Sequence, residues 1–313
     1  MNGGLDPGAA PGGRGSRFWP ALVALGLLTC AGITEAPAQE IVRRVGRVTF
    51  RVDASQAFPG GVVVVRLGSR GRLGAAWAFL DGRRGAFYSD RGVPRALVPV
   101  AASAEAGPAT LGVAIAARRG EQRVSIPITI ASRVYQPRYV FLSEDERARL
   151  RRPEAAHDGR RLLAVLRTES PTPAPGLLLP PVDATGSGFG EPRTYTGAAD
   201  VESRIDALSG ERHRGLDYAV PVGTPVRAPA AGTVLFAGPL ALSGETVVID
   251  HGQGVLSVLQ HLSRVDARTG DPVPAAAVVG LSGDTGLATE PMLQWRVYLH
   301  GVPVDPTVLG PLL

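Results

Sequence analysis

The sequence predicts an all-β protein: an N-terminal β-sandwich, a charged linker helix and a C-terminal antiparallel β-sheet domain with an open groove. Three observations carry this. Residues 41 to about 135 hold short runs of alternating apolar and polar residues, broken by Gly60-Gly61, Asp81-Gly82 and Arg119-Gly-Glu121. Ser143-Glu-Asp-Glu146 opens a charged, non-alternating stretch. From Thr224 onward, alternation with glycine turns resumes. Period two is the signature of half-buried strands, and regular turn signals between short strands indicate an antiparallel sandwich.

The 313 residues suit two domains of ordinary size, and a hydrophobic content of 44% can fill real cores. All 33 basic residues are arginine, and the net charge is only +5. The arginines are scattered and aromatics make up 5%, which argues against nucleic acid binding. A basic surface facing anionic polymers is compatible with this balance.

Residues 1–38 read as a signal peptide. Arg14 and Arg17 form a positive leader, Phe18–Ile33 is an apolar run of 16 residues, and Ala36-Pro-Ala38 is a cleavage-type site. That run is short for a membrane span. The single cysteine, Cys30, falls within it, so a mature chain would hold neither a disulfide nor a thiolate ligand. Any metal would rest on His, Asp or Glu.

Residues 39–138 are predicted to form the sandwich. Val48–Val52, Val62–Leu67, Ala75–Leu80, Ala96–Val100, Leu111–Ala116 and Val124–Ile130 are its strands. Residues 139–176 are predicted as linker. Serine with glutamate three residues later is a capping box, so a helix of about 20 residues is expected after it, with Arg151, Arg152, Arg160 and Arg161 on a solvated face and His157 at the surface. Ser170–Pro175 is proline-rich.

Residues 177–313 form the second β domain. Gly186-Ser-Gly-Phe-Gly190 is read as a glycine bend, since no strand precedes it and Pro192 follows. Asp200–Leu208 has the spacing of a short amphipathic helix, read either as a lid beside the groove or as a surface insertion. Val226–Ala228, Gly232–Ala237, Thr246–Asp250, Val255–His261, Val278–Leu281 and Leu293–Leu299 are strands. His300-Gly301 has the character of a hairpin turn.

Within this domain lies an ordered series of motifs. His213-Arg-Gly-Leu-Asp217 is followed by Gly223-Thr-Pro-Val226, Val247-Val-Ile-Asp-His-Gly252 and Gln260-His-Leu262. Gly280-Leu-Ser-Gly-Asp-Thr-Gly286, Pro291-Met-Leu-Gln-Trp295 and Val304-Asp-Pro306 complete it. An imidazole and a carboxylate four residues apart are suitable ligands for one zinc ion. The series as a whole resembles the lysostaphin-type (LytM-like) zinc metallopeptidases, which cut peptide cross-links in bacterial cell walls, over roughly residues 177 to 310.

The resemblance implies His213 and Asp217 as zinc ligands and His261 as a catalytic histidine. It places the family's H-x-H pair, a second catalytic histidine and the third ligand, on Met292 and Gln294. It also implies that the sandwich is the immunoglobulin-like domain found before the peptidase domain in some exported members. By the same resemblance His251 is a turn residue, Leu259 replaces a groove tyrosine, and Glu290 is the one carboxylate near the lost ligand. Trp295 is expected in the core.

A glutamine oxygen is a weak, neutral zinc ligand, and a thioether prefers softer metals. Loss of one imidazole should cost zinc affinity roughly 100-fold, about 2.7 kcal/mol. Zinc is therefore expected to be weakly bound or absent, in a degenerate, exported cell-envelope pseudoenzyme. Its expected partners are peptidoglycan stem peptides or a cell-wall amidase that it activates. An active zinc endopeptidase and a structural envelope scaffold are the two alternatives.

Overall fold

The computed structural model describes residues 40–69, 74–117, 120–171, 176–197 and 212–313. The expected signal peptide with Cys30, and the amphipathic segment at 200–208, lie outside the described residues. Residues Ala36–Leu313 form one compact unit.

The N-terminal part holds eight strands: β1 (Glu40–Val45), β2 (Val48–Asp53), β3 (Val62–Ser69), β4 (Ala76–Leu80), β5 (Arg83–Asp90), β6 (Val93–Pro99), β7 (Gly107–Ala117) and β8 (Gly120–Ile130). They run antiparallel in the order β1-β2-β3-β6-β5-β4-β7-β8. The first half of β5 pairs with β4 and the second half with β6, so this strand turns the corner between two layers. Between the layers lie Phe50, Val52, Val63, Val65, Val98, Leu111, Val113 and Ile126, all buried. The turns at Asp81-Gly82 and Arg91-Gly92 have positive φ at both residues, the requirement of a tight hairpin turn that matches strand twist.

The expected single helix is instead two. After β9 (Arg138–Leu142) come α1 (Glu144–Leu150) and α2 (Pro153–Val165). The capping box forms as read: Ser143 Oγ accepts from the Glu146 amide, and Glu146 accepts from the Ser143 amide. The break falls at Arg151-Arg152 because Pro153 has no N–H to donate back into α1, while its fixed φ suits the first turn of α2. Nor is the arginine face wholly solvated. Arg161 stacks over the Phe236 ring with its guanidinium carbon 4.8 Å from the centroid, and Leu162, Val165 and Leu166 pack with Phe236, Leu240 and Tyr298.

The C-terminal part contains β10 (Arg193–Gly197), β11 (Leu216–Tyr218), β12 (Pro225–Arg227), β13 (Gly232–Leu240), β14 (Gly244–Gly252), β15 (Val255–Val265), β16 (Pro272–Val273), β17 (Val278–Ser282), β18 (Leu293–Leu299), β19 (Val302–Val304) and α3 (Pro306–Leu309). Its antiparallel sheet has the order β11-β18-β15-β14-β13-β16, with β17 joining β15 to β12 and β19 on β18. β10 runs parallel to β9 instead. His300 and Gly301 both have positive φ between β18 and β19, as the hairpin reading requires.

Two sequence readings are corrected here. His251 is no turn residue; it lies within β14, next to its last residue and fully buried, with Nδ1 on the Ala231 carbonyl and Nε2 on Ser257 Oγ, both at 2.9 Å. Leu259 does not face the groove. It lies opposite Trp295 on β18, and both face the core, because side chains alternate along a strand.

The two β parts share a core. On β3, Val63 and Val65 face the sandwich interior, while Val62 and Val64 join Leu97, Leu178, Phe189 and Leu309 in the second cluster. At the junction the backbone of Gly60, with φ +84, passes so close to Phe189 that an added Cβ would stand 2.2 Å from Cε1. Around it, the Asp305 amide donates to the Gly60 carbonyl, Arg133 pairs with Asp305 at 3.1 Å, and Arg95 donates to the Leu312 carbonyl.

Buried His251 predicts an acid-sensitive fold. Burial pushes its pKa down to about 4, against about 6.5 unfolded. The unfolded state therefore takes up the proton first. Stability is complete above about pH 6.5 and falls as the pH drops toward 4, by about 3 kcal/mol from this group. The thermal midpoint, followed by circular dichroism from pH 7.5 to 4.5, should fall with acid. His251→Gln should flatten that slope; an unchanged slope would remove His251 as its source.

Candidate metal site and groove

The site is assembled by three neighbouring strands and one bend. Asp217 on β11 sits opposite Gln294 on β18, which sits opposite Gln260 on β15, so register alone puts Asp217 and Gln294 on one face. His213 reaches the same point from just before β11. It is held by the bend at Gly186–Gly190: Gly190 donates to the His213 carbonyl, and the His213 amide donates to Glu191. The ring Nδ1 donates to the Gly188 carbonyl at 2.9 Å. Gly188 has φ +97, and a Cβ there would press on that nitrogen at 3.1 Å.

With Nδ1 donating, this tautomer of His213 leaves Nε2 as an acceptor. It lies 3.2 Å from Asp217 Oδ1. That separation is close to the edge of a tetrahedron drawn around a zinc ion with bonds of about 2.1 Å, roughly 3.4 Å. The Gln294 amide nitrogen stands over this edge, 2.8 Å from His213 Nε2 and 2.9 Å from Asp217 Oδ1. Its carbonyl oxygen accepts from Arg296 Nε at 2.7 Å. The orientation of the amide follows from its neighbours. Turned over, it would aim an oxygen at two acceptors and an NH2 at a guanidinium.

The residues present do not fit a catalytic zinc. Two donors have the right spacing, but the third position carries a neutral amide whose nitrogen has no lone pair for a metal and whose oxygen is engaged by an arginine. No group of three or more His, Cys, Asp or Glu side chains able to hold a metal occurs among the described residues. Glu290, the one carboxylate expected near the lost ligand, is well exposed at the groove and pairs with Arg138 at 3.8 Å.

Asp217 is held on its other side by Arg193 from β10, which bonds Oδ2. Burial pushes the Asp217 carboxyl up, but the hydrogen bonds at both its oxygens and the charge of Arg193 outweigh it and hold it well below the usual range. Asp217 is thus ionised at any working pH. Arg193 had no signal in the sequence, since nothing local ties residue 193 to residue 217.

His261 stands apart from this cluster in bonding but lines the same cavity. Its φ is +63, uncommon for a residue with a Cβ. Here the β14–β15 ladder slips register between Leu259 and Leu262, a bulge of the kind that re-aims a side chain. The amide of His261 donates to Ser243, and Nδ1 donates to the Thr285 carbonyl at 2.9 Å. Burial lowers the imidazole pKa, partly opposed by that bond and reinforced by the charge of Arg296. The ring is therefore neutral near pH 7.

Met292 is buried and faces the cavity with Gln294, two residues along the chain. The cavity measures about 640 Å³. Its far wall is β9 and α2, so the segment read as a linker closes one side of the groove.

A groove on an antiparallel sheet, with a His–Asp pair at metal-edge spacing and a strained histidine beside it, defines a metallopeptidase-type domain. Residues 211–306 match the model of peptidase family M23. A crystal structure of a candidate M23 peptidase from Pseudomonas aeruginosa is 31% identical, with 82% of this chain and 96% of that chain covered and a TM-score of 0.59. This chain belongs to peptidase family M23. Among curated relatives, the DD-carboxypeptidase/endopeptidase Mpg of Neisseria meningitidis is 42% identical over 94 residues, 30% of this chain and 22% of that protein. The peptidoglycan DD-endopeptidase ShyA of Vibrio cholerae is 37% identical over 93 residues, with the same shares. The chain thus spans about a fifth of the length of these two relatives.

Because Gln294 alone stands over the His–Asp edge, Gln294→His should raise zinc affinity by at least about tenfold, while Met292→His should change it little. Metal analysis after equilibration at micromolar free zinc checks this. The parent should carry well under one zinc per chain, and equal affinities in the two variants would mean that β18 is misassigned to the metal edge.

Proposed function

We propose that this chain is an exported cell-envelope protein whose M23 domain holds peptidoglycan peptides, or docks on a cell-wall hydrolase such as an amidase and regulates it, without cutting cross-links itself. The observation that carries the reading is the Gln294 amide, which satisfies His213 and Asp217 by hydrogen bonds where a peptidase needs a third metal ligand. In this reading His213 and Asp217 are the remnant of the ligand set. His261 is the remnant of the catalytic pair, with Met292 in place of its partner. The peptidoglycan activities named for the Neisseria and Vibrio relatives support the wall as the target. The leader expected at residues 1–38 supports export to the periplasm or cell surface.

The sandwich, proposed as an immunoglobulin-like domain over residues 39–138, and the 139–176 segment serve to position the groove within residues 177–313. A second reading, an active endopeptidase with an unusual ligand set, draws support from one feature: His261 keeps a strained backbone aimed at the cavity, and such strain gathers at working sites.

The two readings part in a wall digest. Purified protein incubated with isolated peptidoglycan should sediment with it and release no cross-link cleavage products by chromatography, with or without added zinc. Release of products that a chelator abolishes would establish the peptidase reading instead. Sedimentation that fails together with capture of any envelope hydrolase would leave only a scaffold.

A further inference from the structure

One cation of the groove, Arg296, has no carboxylate partner among the described residues. Three carboxylates line it, and each is engaged: Asp217 by Arg193, Glu290 by Arg138, and Asp158 by the Ala241 amide at 2.8 Å. Among the described residues four guanidinium groups line it too: Arg138, Arg193, Arg214, which has a partner of its own, and Arg296. Arg296 differs from the paired ones. It is only part exposed, and the bond it makes goes from Nε to the neutral amide oxygen of Gln294, not to a carboxylate. Its positive charge is felt at His261 across the cavity. With Nε engaged, the outer edge formed by its two Nη groups is the part left to a ligand.

A half-buried guanidinium that meets no carboxylate among the described residues is a ready site for an anion, and the planar fork favours the two oxygens of a carboxylate. The volume, about 640 Å³, suits a few residues of extended peptide and not a folded domain. The walls suit a peptide as well: Tyr139 and Phe141 of β9 and Leu163 of α2 are exposed apolar side chains. The bond from Arg296 to Gln294 makes these two side chains part of one device. The amide that occupies the metal edge also orients the arginine, exchanging a cation site for an anion site a few ångströms away.

We propose that the groove binds the free carboxyl terminus of a short peptide, with the terminal carboxylate held end-on by Arg296. This rests on the reading of the domain as a peptide-holding module, and it adds which end of the peptide is recognised. A residue that only packs the groove would not distinguish a carboxylate from an amide, so the test turns on that difference.

The probes are acetyl-trialanine as the free acid and as its C-terminal amide, titrated into the full mature chain and followed by calorimetry at low salt. The free acid should bind at least about tenfold tighter than the amide, and the difference should shrink at high salt. Arg296→Lys, which keeps the charge and loses the fork, should bind the acid several-fold more weakly with an unchanged thermal midpoint. The acid–amide comparison on the unaltered chain stands even if the variant does not fold. Equal binding of acid and amide would overturn the proposal while leaving peptide holding intact. No saturable binding of the free acid at millimolar concentration, in protein that still sediments with peptidoglycan, would overturn it as well and place wall recognition elsewhere.

Discussion

The site depends on one requirement: two buried acceptors 3.2 Å apart, His213 Nε2 and Asp217 Oδ1, must be satisfied together. A metal does this with positive charge. The Gln294 NH2 does it with two donors from one atom, at 2.8 and 2.9 Å. Each hydrogen bond to a charged group contributes about 1.5–3 kcal/mol, and an unpaired buried acceptor costs a similar amount. Glutamine at 294 therefore leaves neither acceptor unsatisfied. Arg193 on the far oxygen of Asp217 supplies the countercharge that a neutral amide cannot, and this keeps a buried carboxylate tolerable.

Around that cluster the frame of a working site persists. The bulge in β15 and the positive φ of His261 cost free energy that a plain ladder would not. The bend at Gly188 keeps His213 in the tautomer that leaves Nε2 free to accept. The two side chains singled out by the sequence, Met292 just before β18 and Gln294 within it, are presented to the cavity by regular extended backbone.

The groove is not the property of the C-terminal sheet alone. β9 pairs with β10 next to Arg193, α2 packs on β13 through Leu162 and Leu166, and the sandwich shares its β3 valines with the second core. Three segments distant in sequence thus set the width of one cavity. A chain with the same sheet and a different approach segment would present a different groove.

Local chemistry determined much of this protein. Period-two alternation marked the strands. The Ser143–Glu146 box marked the helix start, and His300-Gly301 marked its hairpin, because each depends on residues adjacent in the chain. His213, Asp217, His261, Met292 and Gln294 were legible as one constellation through the order and spacing of their motifs. Tertiary structure decided the rest. Pro153 split a stretch that looked like one helix. The side of the ladder sent Leu259 to the core, and burial took His251 out of its turn. The partner that holds the far side of Asp217, Arg193, comes from β10 folding back toward β11. That pairing leaves no local trace, because alternation tells which face a residue takes but not which strand will lie opposite it, whereas Gln294 and Arg296, two apart on β18, share a face by alternation alone.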